Sequence, residues 1–182
     1  SIPASKLITD SCRNWRGMKD SGGRRIKRSI RIDMRSIRFV DDSLMEKFKR
    51  FVLLKSYLQS KMDEVNAHNK TTESDLSELV NGRRLTNVGT FRAYMVAYLK
   101  NHPQIRKDRT FLIRQLEPSD NGLPIEIYIF TNTTVWGEYE AIQADIFDHL
   151  MAVIREFDLA PFQNSTGKES LSGDLNVSMV SR

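Results

Sequence analysis

Few residues of this 182-residue chain could do chemistry, and their spacing does not assemble a catalytic site. Among the three histidines, His149 stands one helical turn from a carboxylate, Asp145, a spacing compatible with a pair of metal ligands. No further imidazole or carboxylate converges on this pair in the sequence. A half-exposed histidine near a helix end explains His149 equally well, because cations are mildly favourable there. We predict no metal site.

Nucleophiles and phosphate-binding loops are equally sparse. Cys12 is the single cysteine, which excludes an internal disulfide and a zinc site built on cysteines. Gly22 and Gly23 precede Arg24 and could cradle a phosphate, but a tight turn explains them fully. The chain has no P-loop and no GxGxxG, HExxH or GxSxG motif. We therefore predict no enzyme, no catalytic residue and no cofactor.

The charge is unevenly distributed along the chain. The net charge is +5, yet residues 13–38 hold ten basic side chains against two acidic ones, and the remainder is mildly acidic. Such a cluster permits a nucleic-acid-binding module, because lysine and arginine neutralise phosphates. RNA-binding sheets also present stacking aromatic rings, and the basic segment 24–33 contains none. Cations that face solvent or a neighbouring subunit explain the cluster as well.

The first half of the chain predicts a strand and a helix. Residues 24–33 alternate isoleucines with mostly basic residues, which is typical of a strand with one buried face. Ser43 and Glu46 have the spacing of a capping box. The apolar period that follows predicts one amphipathic helix of about five turns, ending near Met62.

The second half predicts another helix, a hairpin and a long helix. A polar connection at 63–89, which we interpret as an insert, precedes a helix that we expect to begin after Thr90 and to end before Pro103. The later elements are strands at 110–116 and 123–131, a helix at 136–157 and a short strand near 159–163. This order of elements is the split βαβ, or ferredoxin-like, arrangement of an α+β fold.

Three parts are expected along the chain. Residues 1–23 look like the end of a preceding small β-domain, 24–163 form the ferredoxin-like domain, and 164–182 form a flexible tail rich in serine and glycine. The longest useful apolar stretch, 93–99, covers seven residues, whereas a membrane span needs about 20. The chain begins at Ser1 without a methionine, and we interpret it as a fragment of a longer protein.

Several blocks of this sequence resemble one known family. Ile2-Pro3-Ala4-Ser5-Lys6-Leu7 is similar to the segment that ends the β-domain core of MscS-type mechanosensitive channels. Three longer blocks come after it in the family's order and resemble its YbdG-like, miniconductance branch. These blocks are NWRGM…GGRRIKRSIRID at 14–33, RRLTNVGTFRAYMVAYLKNHP at 83–103 and the segment 114–150.

The resemblance implies the cytoplasmic part of an inner-membrane, homoheptameric channel that opens under membrane tension during hypo-osmotic shock. The membrane-spanning region and the gating residues would lie upstream of Ser1. Its partners would be further copies of the chain and the permeating ions, with no nucleic acid expected. Our hypothesis is that four basic residues line a subunit interface or the interior of the cytoplasmic cage. These residues are Arg24, Lys27, Arg28 and Arg31.

Overall fold

The computed structural model describes residues 22–163, a mixed helical and sheet fold. The predicted β-domain end at 1–23, apart from its last two residues, and the predicted tail at 164–182 lie outside this range. Three strands and four α-helices follow in chain order, with short 3₁₀ turns between some of them. They are β1 (Arg25–Ile32), α1 (Asp42–Lys49), α2 (Lys55–Thr71), α3 (Asn87–Asn101), β2 (Leu112–Gln115), β3 (Leu123–Phe130) and α4 (Trp136–Val153).

The sheet has the strand order β1-β3-β2 and is antiparallel throughout. The predicted last strand is reduced to one bridge, between Ile32 and Pro161, on the free side of β1. Two backbone hydrogen bonds support it: Asp33 N donates to Ala160 O at 2.9 Å, and Phe162 N donates to Arg31 O at 2.8 Å. The α+β prediction is confirmed. The strand order is that of a split βαβ unit in which the fourth strand is reduced to a single bridge.

The core lies between the helices and one face of the sheet. Because successive side chains of a strand point to opposite faces, the alternation of β1 buries its isoleucines on one side. The central strand β3 adds Ile125, Ile127 and Ile129, each fully buried. On this face they pack in one cluster with apolar residues of all four helices. The opposite face, which we call the outer face, carries mostly polar side chains.

The predicted single helix of 44–62 is wrong, because the chain breaks between α1 and α2. Phe51 adopts an extended conformation there, with φ −80° and ψ 109°. Its ring turns inward and lies 5.5 Å from the ring of Phe157. Phe157 also contacts Phe48 at 5.2 Å and Phe91 at 5.1 Å, measured between ring centroids. Packing of distant aromatic rings thus interrupts a helical period that the local sequence would have continued.

The predicted capping box at Ser43 is also wrong. Asp41 caps α1 instead, since its Oδ1 accepts a hydrogen bond from Leu44 N at 2.8 Å. Glu46 does not close the box, because its carboxylate pairs with Lys49 at 2.6 Å. An aspartate two residues earlier offers both the capping oxygen and a negative charge at the helix N-terminus, which the helix dipole favours.

The third helix begins earlier than predicted. Thr86, not Thr90, caps α3, and its Oγ1 accepts from Gly89 N at 3.1 Å. The polar connection starts later than predicted, because α2 continues to Thr71. Residues 72–86 therefore make up the connection, which we call the α2–α3 loop, and it contains no α-helix.

One buried asparagine ties three segments together. Asn87 is fully buried at the start of α3. Its Oδ1 accepts from Arg38 N at 3.0 Å, and its Nδ2 donates to Ser36 O at 2.9 Å. The same Nδ2 lies 3.3 Å from Asp158 O, beyond the end of α4. Because one amide serves the chain after β1 and the chain after α4, it holds both ends of the fold against α3.

None of the helices between residues 22 and 163 combines the length and the apolar composition needed to cross a bilayer.

Candidate functional site

The four predicted basic residues divide between the two faces of the sheet. Arg28 lies two residues from each of the buried Ile26 and Ile30 and therefore shares their face of the sheet, which the helices cover. Lys27 and Arg31 lie on the outer face. The structure therefore does not bring the four together into one patch. The hypothesis has to be considered separately for Arg24 with Arg28 and for Lys27 with Arg31.

On the helix side, cations lie over aromatic rings of α4. The guanidinium of Arg24 is 4.4 Å from the ring centroid of Trp136 and 5.4 Å from that of Tyr139. The guanidinium of Arg28 is 4.1 Å from the ring of Phe147. Such contacts each stabilise by roughly 0.5–1 kcal/mol at exposed sites and fix the positions of the charges. Trp136 remains 63% exposed, so this cluster borders solvent.

The outer face includes a further cation, Arg114, which is distant in sequence from β1. Arg114 of β2 lies opposite Glu126 of the central strand, which in turn lies opposite Ser29 of β1. The sheet thus adds Arg114 to Arg25, Lys27 and Arg31. Four cations share this face with one carboxylate, which leaves it positively charged. The residues that define the outer face are Arg25, Lys27, Arg31, Arg114, Glu126 and Tyr128.

Glu126 organises the centre of the outer face. Its Oε1 accepts from Nε and Nη2 of Arg114, at 3.0 and 2.8 Å. Its Oε2 lies 4.0 Å from Nζ of Lys27. The Glu126 side chain is 7% exposed, whereas those of Arg114 and Lys27 are about half exposed. The carboxylate is therefore shielded beneath two cations, and the charge that solvent or a partner meets is positive.

Aromatic side chains on the outer face were missed in the sequence. Tyr128 and Phe130 lie on the same side of β3 as Glu126, and their rings make an edge contact at 5.9 Å. Arg25 reaches the Tyr128 hydroxyl at 3.4 Å and lies 5.5 Å from its ring. Leu112, opposite Tyr128, is 41% exposed. The alternation of residues 123–131, once they are recognised as the central strand, is the signal that could have found these rings.

Two further cations of the basic segment, Arg35 and Arg38, are paired locally. Arg35 binds Asp33 and lowers the pKa of that carboxyl through hydrogen bonds. Arg38 bridges Asp41 at 2.7 Å and Asp158 at 2.6 Å, which raises the pKa of Arg38 and lowers that of Asp41. These cations connect the chain after β1 to α1 and to the end of α4.

The His149 pair does not form a metal site. Nε2 of His149 lies 2.8 Å from the hydroxyl of Tyr94, and its ring stacks on Tyr98 at 4.2 Å. Asp145 faces His102 instead, at 3.9 Å. Within residues 22–163, no group of three histidine, cysteine, aspartate or glutamate side chains is arranged to hold a metal ion.

Comparison with known proteins identifies one family match and one related channel. Residues 95–160 match the family described as "Mechanosensitive ion channel MscS, C-terminal". The chain is also 39% identical over 57 residues to the low conductance mechanosensitive channel YnaI of Escherichia coli (strain K12). That match covers 31% of this chain and 17% of YnaI, so the chain spans a small part of its relative. The YbdG-like branch is not addressed by either match and stays a prediction. The segment from the middle of α3 through the β2–β3 hairpin to the end of α4 thus resembles the C-terminal domain of MscS channels, as the sequence blocks indicated.

Proposed function

We propose that this chain is part of the cytoplasmic cage of a mechanosensitive channel that opens under membrane tension in hypo-osmotic shock. The match of residues 95–160 to the MscS C-terminal family carries the proposal. The matched segment contains the β2–β3 hairpin, which includes the central strand of the sheet, and all of α4. In such a channel the chain has no catalytic task. It assembles with further copies, seven in the complete channel, and screens the solutes that reach the pore.

Tension supplies the work of opening in this mechanism. A stretched membrane favours the state with the larger area, and a cage attached to the pore biases the equilibrium only if its contacts differ between the two states. The described residues can bias this equilibrium through contacts between copies of the chain. In this proposal, the outer face makes a contact between subunits. Arg24 and Arg28, fixed over the rings of α4, contribute to the potential that ions meet.

The channel activity is tested with the full-length protein that contains this chain. A bacterial strain lacking its own mechanosensitive channels would express the protein and undergo hypo-osmotic shock. We expect improved survival and pressure-activated currents in membrane patches. Currents that are absent although the protein is present in the membrane would refute the proposal.

The two pairs of basic residues provide matched charge reversals within residues 24–31. Arg24→Glu with Arg28→Glu, and Lys27→Glu with Arg31→Glu, each change the charge by four units. We expect the first pair to shift the cation-to-anion preference of the channel and the second pair to weaken assembly. An unchanged preference in the first variant would exclude its role in the ion pathway.

A basic nucleic-acid-binding module is the second candidate, and Tyr128 beside Arg25 and Lys27 favours it. Rings and cations on an open sheet suit single-stranded RNA or DNA. Glu126 at the centre of the face opposes this function, because its pairing with Arg114 and Lys27 reduces the positive charge available to phosphates. A gel shift at low salt distinguishes the two: a bound complex that dissociates as salt rises would support the module, and absence of binding would remove it.

A further inference from the structure

The α2–α3 loop, residues 72–86, has a fixed shape. The side chain of Asn69 forms two hydrogen bonds with the backbone of Arg83, donating to its carbonyl at 2.9 Å and accepting from its N–H at 2.7 Å. Nη2 of Arg84 donates to Leu76 O at 2.7 Å and to Glu78 O at 3.3 Å. These contacts hold the loop from its base and from beneath its tip.

A glycine helps to close the loop at its base. Gly82 adopts a φ of +70°, a conformation that side chains with a Cβ rarely tolerate. A Cβ at this position would lie 2.7 Å from Leu76 Cδ2 and 2.8 Å from Asn69 Oδ1. The backbone therefore approaches both side chains as closely as only glycine permits, and this supports a defined loop structure.

The tip of this loop, residues 73–80, is apolar and acidic. Leu76 is 47% exposed, Leu79 63% and Val80 83%. The tip also carries the exposed carboxylates of Glu73, Asp75 and Glu78, and no cation lies between residues 73 and 80. Ordering a loop costs conformational entropy, and little of that cost is recovered here by burial within the chain. Exposed apolar groups on a structured loop are typical of a contact surface.

The carboxylates of the tip form no ion pair within residues 22–163, although the guanidinium of Arg84 donates to backbone carbonyls of the tip. Neither Glu73 nor Glu78 forms an ion pair in the part of the chain that the structure describes, residues 22–163. Nucleic acid and anionic lipid are excluded as ligands of the tip by the sign of its charge. The tip requires a surface that is basic and also offers apolar groups.

The outer face of the sheet has that composition. It presents four cations against one shielded carboxylate, together with the exposed Leu112 and the ring of Tyr128. We propose that the loop tip of one copy docks on the outer face of the next copy. The tip's three carboxylates would meet Lys27, Arg31 and Arg114, while Leu79 would pack against Leu112 and Tyr128.

This contact is heterologous, since it joins two different surfaces. A heterologous contact forms a closed ring when its rotation closes, as a cyclic channel requires. The loop lies outside residues 95–160, so the match to the MscS C-terminal family does not supply this assignment. The inference rests on the proposed function in one respect, namely that copies of the chain assemble.

Disulfide trapping tests the contact directly. In the 182-residue chain with Cys12→Ser, Leu79→Cys is combined with Leu112→Cys and the protein is oxidised at high concentration. The control combines Leu79→Cys with Met151→Cys on α4, a residue 43% exposed against 41% for Leu112. We expect covalent multimers to form at least tenfold faster in the first variant, because only that pair would be held together. Equal rates in the two variants, or no multimers in either, would overturn the assignment.

A charge exchange provides the second measurement. Glu78→Lys alone and Lys27→Glu alone should each slow trapping several-fold, and the two together should restore part of the rate. A double variant slower than both single variants would contradict the pairing. Multimers seen by light scattering without trapping between positions 79 and 112 would refute this contact alone. A loss of pressure-activated current in the full-length protein is the separate outcome that would refute the proposed function.

Discussion

Removing the side chain of Asn87 should destabilise the fold more than any removal of an exposed polar group. Asn87→Ala deletes the acceptor of Arg38 N and the donor to Ser36 O, and the site is fully buried. Each buried backbone group left without a partner costs about 1–3 kcal/mol. Two such groups would give about 2–6 kcal/mol, and because both hydrogen bonds are only part-buried we expect the lower part of that range, about 2–4 kcal/mol in the free energy of unfolding. That is a large fraction of the typical stability of a domain.

Urea unfolding followed by circular dichroism measures this loss. Asn101→Ala is the matched control, because Asn101 lies at the other end of α3 and makes one exposed hydrogen bond, to Ala97 O at 2.8 Å. We expect the control to change the free energy of unfolding by less than about 0.5 kcal/mol. The slope of the transition should be the same in both variants.

A loss below about 1 kcal/mol for Asn87→Ala would refute the reasoning, because water or a shifted backbone would then be satisfying both groups. Asn87→Asp refines the test, since it keeps the acceptor for Arg38 N but replaces the donor with a second oxygen. Its cost should fall at acidic pH, where a protonated carboxyl can again donate to Ser36 O. A cost that does not vary with pH would show that the donor half of the interaction is unimportant.

Four further substitutions, one of them a control, test local features of the fold by the same urea measurement. Thr86→Ala removes the α3 cap and should cost about 1 kcal/mol. Gly23→Ala would place a Cβ against the carbonyl oxygen of Thr131 and should cost about 1–3 kcal/mol. In the control, Gly137→Ala, the new Cβ would meet no atom within 4 Å, so this change should be neutral or stabilising. Burial lowers the pKa of His102 in the fold, so the unfolded chain binds more protons and stability should fall as pH drops below about 6.5. His102→Gln should flatten this dependence, and an unchanged slope between about pH 7.5 and 5 would contradict it.

The strands were predictable within a few residues because their signals are local. The strand predicted at 24–33 is found at Arg25–Ile32, and the strand predicted at 123–131 is found at Leu123–Phe130. In both, the isoleucine pattern sets which residues enter the core, and that pattern is present in the chain itself. The order of elements followed from these strands and from the predicted helices, so the α+β fold could be derived as well.

The break between α1 and α2 was not predictable from local pattern. Leu44, Phe48 and Leu58 keep a helical period across it, and no proline or glycine marks the position. The interruption depends on where the ring of Phe157 lies, and that is decided by the packing of α4. The buried role of Asn87 escaped prediction for the same reason, because its three partners come from distant segments.

The candidate site was predictable only in part. The alternation of β1 already separates Arg24 and Arg28 from Lys27 and Arg31, since period two assigns them to opposite faces. The pairing of Arg114 with Glu126 required the register of the hairpin, which a one-residue shift would have reversed. A tight turn at Gly122 fixes that register, with Ser119 and Gly122 bonded to each other through their backbones.

The basic segment shows why charge counted along a chain differs from charge presented by a surface. In its described part, residues 22–38, the cations do not form one patch, because β1 divides them between two faces and local carboxylates neutralise Arg35 and Arg38. A positive surface nevertheless exists on the outer face, and it depends on Arg114, which lies far from the segment. Since a partner meets the folded surface, Arg114→Gln should weaken docking there as much as Lys27→Gln does. Arg35→Gln, although it removes a cation from the basic segment itself, should leave docking unchanged.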